Sequence, residues 1–114
     1  MKLFQRTIHD LHQMLLDREI SSVELTESVL GQIDAVGQET KAYLLVTRDL
    51  AFRQAKAADE RIRAKADVRP LTGIPIALKD VLCVKDVPAT AGSQILKGFT
   101  PPYSATVVER LETE

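Results

Sequence analysis

The chain has a single cysteine, no excess of either charge and no long apolar run. Cys83 alone forms no internal disulfide, which fits a reducing compartment and makes the cytoplasm the expected address. Fifteen Lys and Arg against sixteen Asp and Glu leave a formal charge of −1, so there is no basic field to hold nucleic-acid phosphates. Any RNA contact must then come through a partner. No apolar stretch approaches the roughly 18–20 residues of a membrane span, and the amino terminus lacks the apolar core of a signal peptide. A soluble, non-exported chain is expected. No glycine run is present to cradle a phosphate. At 114 residues and 45% hydrophobic, the sequence suffices for one ordinary globular domain that would bury roughly two thirds of its unfolded surface.

The first 69 residues read as a helical segment. Thr7 with Asp10 three residues on is a cap, and Ile8, Leu11 and Leu15 follow on one stripe. Ser21 and Glu24 form a capping box, Ile20 stands where it can staple onto Leu25, and Leu25, Val29, Ile33 and Val36 continue one face as far as Gly37. The run AYLLVT, Ala42 to Thr47, is short, apolar and partly β-branched, and predicts a brief extended segment. From Thr47 a third helix is expected to about Ala66, with Ala51, Ala55, Ala58 and Ile62 on one narrow face. Arg53, Lys56, Glu60, Arg61 and Arg63 lie elsewhere as a solvated surface. Ordinary packing explains the alanine face better than any binding role does.

Composition changes at Pro70. All five prolines and three of the five glycines fall between Pro70 and Pro102, and helical periodicity fades. Residues 70–114 therefore read as the start of a different kind of core. Ile74 to Leu78 predicts a strand with Pro75 at its edge or start, Val81 to Val84 is a second apolar stretch, and Ser93 to Leu96 predicts a short helix or turn ending at Gly98. Thr106 and Glu109 suggest a last capping box ahead of Val107, Val108 and Leu111. No stop signal follows, and the acidic last turn opposes the helix dipole, so the expectation is a polypeptide cut inside a helix.

The strand predicted at Ile74 runs straight into Lys79. One reading is a lysine whose stem covers apolar surface while its ammonium reaches water. The other places a neutral amine in a dry site, taking a proton from a hydroxyl nucleophile. Asp80 is then either a counter-charge or a loop cap. The tripeptide KDV recurs at Lys85 to Val87, but only the first copy follows an apolar run. His9 and His12, with Asp10 between them, could meet one metal on a helix, yet no third or fourth ligand can be named; surface or docking histidines are the preferred reading. Cys83, flanked by Lys79 and Lys85, is better explained as an inert, buried thiol than as a reactive thiolate.

The stretch PLTGIPIALKDVLCVKDVPATAGSQILKGFTPPYSATVVERL, Pro70 to Leu111, resembles the opening of the amidase signature family, and SSVELTESVLGQIDAVG and AYLLV resemble its amino-terminal helices and first strand. Within that family the chain looks most like the glutaminase subunits of tRNA-dependent amidotransferases. The resemblance implies an α/β fold: a twisted mixed sheet with helices on both sides, of which this chain supplies the amino-terminal helices and the first strands, truncated. It also implies a Ser, cis-Ser, Lys triad whose lysine lies in G-[IV]-P-[IVLFA]-x-[LIV]-K-[DE], matched by Gly73 to Asp80, so that Lys79 is the catalytic base and Lys85 is not. Both serines belong to a GSSGGS-like signature that this sequence lacks, so the chain alone is expected to be inactive. Where the family has PPYDAT the sequence has PPYSAT, with Ser104 replacing the acid. The implied substrate is glutamine, and the implied partners are a B subunit, which binds tRNA and uses ATP and magnesium, and a small C subunit. No cofactor is implied for this chain itself. A fragment of a stand-alone amidase, or a noncatalytic interaction module, are the alternatives.

Overall fold

A computed structural model describes residues 1–114 in full. The chain forms two compact units, Met1–Pro75 and Ile76–Glu114.

In the first unit the expected caps set the helices. Thr7 caps α1 (Ile8–Leu16), its hydroxyl accepting from the Asp10 N–H at 3.1 Å. At the head of α2 (Ser22–Thr40) the capping box closes as the sequence predicts: the Ser21 hydroxyl accepts from Glu24 N at 3.1 Å, and the Glu24 carboxylate accepts from Ser21 N at 2.7 Å. These bonds hold the Glu24 carboxyl below its ordinary value, the Ser21 backbone N–H acting first and the hydroxyl second. α3 (Arg48–Ala64) buries Ala55, Ala58 and Ile62 and packs against α2. Leu11, Leu15, Leu25 and Ile62 form the core, with Leu3, Ile20, Val29, Val68 and Ile74 packed around them.

Gly37 does not end α2. The helix continues to Thr40 and stops at Lys41, whose φ of 47° is left-handed, while the Gly37 carbonyl accepts the closing bond from Lys41 N at 2.9 Å. Lys65, with φ of 52°, ends α3 in the same way. A side chain in this region costs roughly 1 kcal/mol, and neither position carries the glycine that marks such an end in a sequence.

The amino terminus of α2 is fastened from three directions. Four N–H groups at a helix start have no partner within the helix. Here Ser21 N and Glu24 N are taken by the capping box, and the Asp59 carboxylate of α3 accepts from Ser22 N at 2.6 Å and from Val23 N at 3.2 Å. The buried Ser22 hydroxyl then donates to the Gly73 carbonyl at 2.8 Å. Gly73 fits there because it is a glycine. Its φ is 84°, and a Cβ would stand 3.2 Å from Ser22 Cβ and 3.3 Å from Leu15 Cδ1.

The second unit contains α4 (Thr106–Thr113) and a 3-10 turn at Gln94–Leu96, capped by the Ser93 hydroxyl and followed by Gly98 at φ 87°. Two of its segments run antiparallel: Ala105 N donates to Cys83 O at 2.8 Å, Asp86 N to Pro101 O at 3.0 Å and Ala89 N to Phe99 O at 3.1 Å. They make no regular ladder. Pro88, Pro101 and Pro102 lack N–H donors and Asp86 sits at φ 61°, so the pairing cannot repeat residue by residue. Pro101, Ala89 and Val108 are buried in this unit.

The strands expected of an α/β fold are absent from residues 1–114. Residues 42–46 and 75–78 enter no backbone–backbone hydrogen bond, and a strand exists only through a neighbour that takes its N–H and C=O groups. Leu44, Leu45, Ile76 and Leu78 are exposed accordingly. The capping box expected at Thr106 and Glu109 does not form either; Ala105 is the cap residue and offers no side-chain bond.

Asp59→Ala and Ser22→Ala are each expected to lower stability by about 1–2 kcal/mol, the first by freeing two helix-start donors and the second by leaving the Gly73 carbonyl unpaired. Urea unfolding followed by the helical circular dichroism signal measures both; unchanged midpoints would show that this junction does not hold the unit together.

Candidate functional site

The Lys79 side chain is exposed and takes part in none of the ion pairs. What is fixed is the backbone around it. The Lys79 carbonyl accepts from Leu82 N at 2.9 Å, closing a tight turn, and the next residue, Asp80, is bonded into the loop at residues 90–92. Its carboxylate accepts from Thr90 N at 3.0 Å, from the Thr90 hydroxyl and, at 3.4 Å, from Gly92 N, while its carbonyl accepts from Ala91 N at 3.1 Å. Ala91 at φ 49° and Gly92 at φ 70° are both left-handed, and the loop wraps Asp80 so that the Thr90 and Gly92 N–H groups meet its carboxylate while the Ala91 N–H between them meets its carbonyl. The two readings left open for Asp80 are thereby separated: it caps a loop and does not pair with Lys79.

Those bonds push the Asp80 carboxyl below its ordinary value, with the Thr90 hydroxyl the leading cause, the Thr90 N–H next, and the Gly92 N–H smaller than the opposing effect of burial. Neither Thr90 nor Gly92 is among the residues that the sequence singles out. The signal that could have found them is the pairing of an acid with a small T-x-G loop ten residues on.

Lys85 is exposed too, and its N–H donates to the Ser104 hydroxyl at 3.0 Å. Ser104 thus serves the backbone of residue 85 and does not cap α4. Cys83 is half-buried, with its thiol 4.0 Å from the Tyr103 hydroxyl. The hydrogen bond with Cys83, then electrostatic repulsion from it, raise the Tyr103 phenol above its ordinary value. His9 and His12 lie on α1, the Nδ1 of His12 buried without a partner, and no group of three metal-capable side chains gathers around them or elsewhere. No helix is long and apolar enough to cross a membrane.

A family comparison matches residues 24–114 to the amidase family, a span that includes the Lys79 turn and the Asp80 loop. The chain belongs to the amidase family. Over 112 residues, 98% of its length, it is 51% identical to the A subunit of glutamyl-tRNA(Gln) amidotransferase from Geotalea daltonii. The corresponding protein of Desulforamulus reducens is 46% identical over 113 residues, and that of Desulforudis audaxviator 46% identical over 114. The chain spans 23% of the length of each of these three relatives.

The Asp80 loop makes a pH prediction. A carboxyl depressed on folding contributes stability that is complete above its ordinary value of 3.8 and is lost as pH falls through the lower, folded value. A carbon-13 titration should therefore place the Asp80 midpoint below 3.8, and Thr90→Val, which removes the leading cause, should move it upward. A midpoint that ignores the Thr90 substitution would contradict the bonding described.

Proposed function

We propose that this chain is the amino-terminal part of the glutaminase subunit of a tRNA-dependent amidotransferase, with Lys79 as the base of a Ser, cis-Ser, Lys triad. One coincidence carries the reading. The segment GIPIALKD lies inside the amidase match over residues 24–114, and proteins 46–51% identical over almost the whole chain are amidotransferase A subunits.

In this reading the two serines, and the dry surroundings that a neutral amine needs, come from residues outside 1–114. Lys79 takes the proton of the bridging serine, which takes that of the nucleophile. The serine oxygen attacks the glutamine side-chain amide carbon, the C–N bond breaks, and the relayed proton leaves with ammonia. Water then hydrolyses the acyl-enzyme to glutamate. Ammonia passes to a B subunit, which binds the misacylated tRNA and uses ATP and magnesium to activate its glutamate, while a C subunit holds the pair together. The chain's near-neutral charge of −1 supports this division, because it gives these residues no means of gripping tRNA through phosphate contacts. The cytoplasm is the compartment in which such a complex works.

In the full-length protein, reassembled with its partners, Lys79→Ala should lose at least the roughly 10²- to 10⁴-fold that general base assistance contributes, while Lys85→Ala loses little. Lys79→Arg should fail almost as badly, since a guanidinium keeps the charge but does not release its proton. Ammonia release from glutamine is the measurement, with folding checked by thermal melts. Near-normal turnover by Lys79→Arg would exclude the base. The 114 residues by themselves should release no ammonia above a buffer blank.

A further inference from the structure

We infer that Asp80, through Thr90 and Gly92, is a positioning residue that fixes the main chain from which Lys79 projects. The inference rests on the reading of Lys79 as the base. A lysine amine hangs on a four-carbon stem with several rotatable bonds, so its placement begins with a fixed Cα. Nothing holds the Lys79 side chain itself within residues 1–114; the adjoining residue is held by four bonds.

The sequence supplies its own comparison. KDV occurs twice, at Lys79 to Val81 and Lys85 to Val87, with the same three residue types. In the first copy the aspartate carboxylate gathers the Thr90 N–H, the Thr90 hydroxyl and the Gly92 N–H. In the second, the exposed Asp86 carboxylate accepts no hydrogen bond, and the residue lies at φ 61° instead. Two identical tripeptides thus differ in whether the acid is fastened, and the fastened one follows the lysine that the family motif selects. The loop that receives Asp80 is itself anchored: Ser93 N donates to Thr90 O at 2.8 Å, and Ala89 N donates to Phe99 O at 3.1 Å beside the buried Ala89. The Asp80 carboxylate is engaged by the loop and forms no ion pair with the Lys79 amine.

The test is glutamine hydrolysis by the full-length protein with its partners, comparing Asp80→Ala, Asp80→Asn, Thr90→Val, the Asp80→Ala/Thr90→Val double variant and Lys79→Ala. Asp80→Ala should lower kcat by roughly 10²-fold with KM little changed, as displacement of a catalytic group does. Thr90→Val, nearly isosteric, should lower kcat less, and the double variant should be no worse than Asp80→Ala, because both remove the same tether. Asp80→Asn keeps an oxygen for Thr90 N and an amide able to donate to the Thr90 hydroxyl, and loses only the long Gly92 N contact, which the Thr90 hydroxyl oxygen also accepts at 3.2 Å, so it should recover most of the loss although the charge is gone. If Asp80→Asn is as poor as alanine while Thr90→Val is normal, charge is what matters and the positioning role is overturned. If Lys79→Ala is crippled but Asp80→Ala and Thr90→Val turn over normally, the tether is dispensable and only the base stands. Normal turnover by Lys79→Ala would overturn the base assignment and this inference with it. Thermal melts accompany each variant, and the Thr90→Val result stands alone if Asp80→Ala fails to fold.

Discussion

Main-chain N–H groups that neither helix nor ladder supplies with a partner are the constraint that orders this protein. A buried or half-buried donor left without an acceptor costs about 1–3 kcal/mol, comparable to the whole contribution of several good contacts. In both units a single carboxylate resolves the problem by collecting more than one donor. Asp59 takes the first two free N–H groups of α2, and Asp80 takes two N–H groups and a hydroxyl from the loop at 90–92. Each joins segments well apart in sequence, so each makes a connection that a local cap cannot.

The first unit shows how such a junction propagates. With all four free donors of α2 satisfied by Ser21, Glu24 and Asp59, Ser22 is left to donate its hydroxyl to Gly73. That bond brings the chain after α3 against the start of α2, at a left-handed Gly73 where an added Cβ would crowd Ser22 and Leu15. Around it, the Leu11, Leu15, Leu25 and Ile62 side chains exclude water, which strengthens the polar bonds they surround. The narrow alanine face of α3 serves the same close packing, since small side chains allow α2 and α3 to approach.

The second unit is built with few regular elements, and for that reason its order depends on side chains. Three prolines and a left-handed Asp86 break the antiparallel approach of the segments around 83–89 and 99–105. Ser93, Ser104 and Asp80 supply the bonds that a ladder would otherwise make. The Lys79 turn lies within the amidase match, and the main chain at this turn is more firmly held than the lysine side chain it presents.

Local chemistry made several elements legible from the sequence alone. Thr7 with Asp10, and Ser21 with Glu24, are contacts three residues apart, so their spacing was sufficient to locate the starts of α1 and α2. Apolar periodicity identified Leu11, Leu15, Leu25 and Ile62 as core residues, and the G-x-P-x-x-x-K-D pattern pointed to Lys79. Other features depend on distant partners. The roles of Asp59 and Ser22 had no signal in the sequence, because a bond between residues 22 and 59 leaves no periodic trace. Gly37 misled because the helix closes through its carbonyl, with Lys41 adopting the left-handed turn. Apolar character at 42–47 and 74–78 suggested strands, but a strand is defined by a neighbour across a ladder, and residues 1–114 place none beside either segment. The sequence by itself thus determined the local caps, the core stripe and the family motif, whose determinants lie within a few residues of one another; only tertiary structure decided that Asp80 and not Asp86 is fastened, because the same tripeptide acquires its bonds from a loop ten residues away.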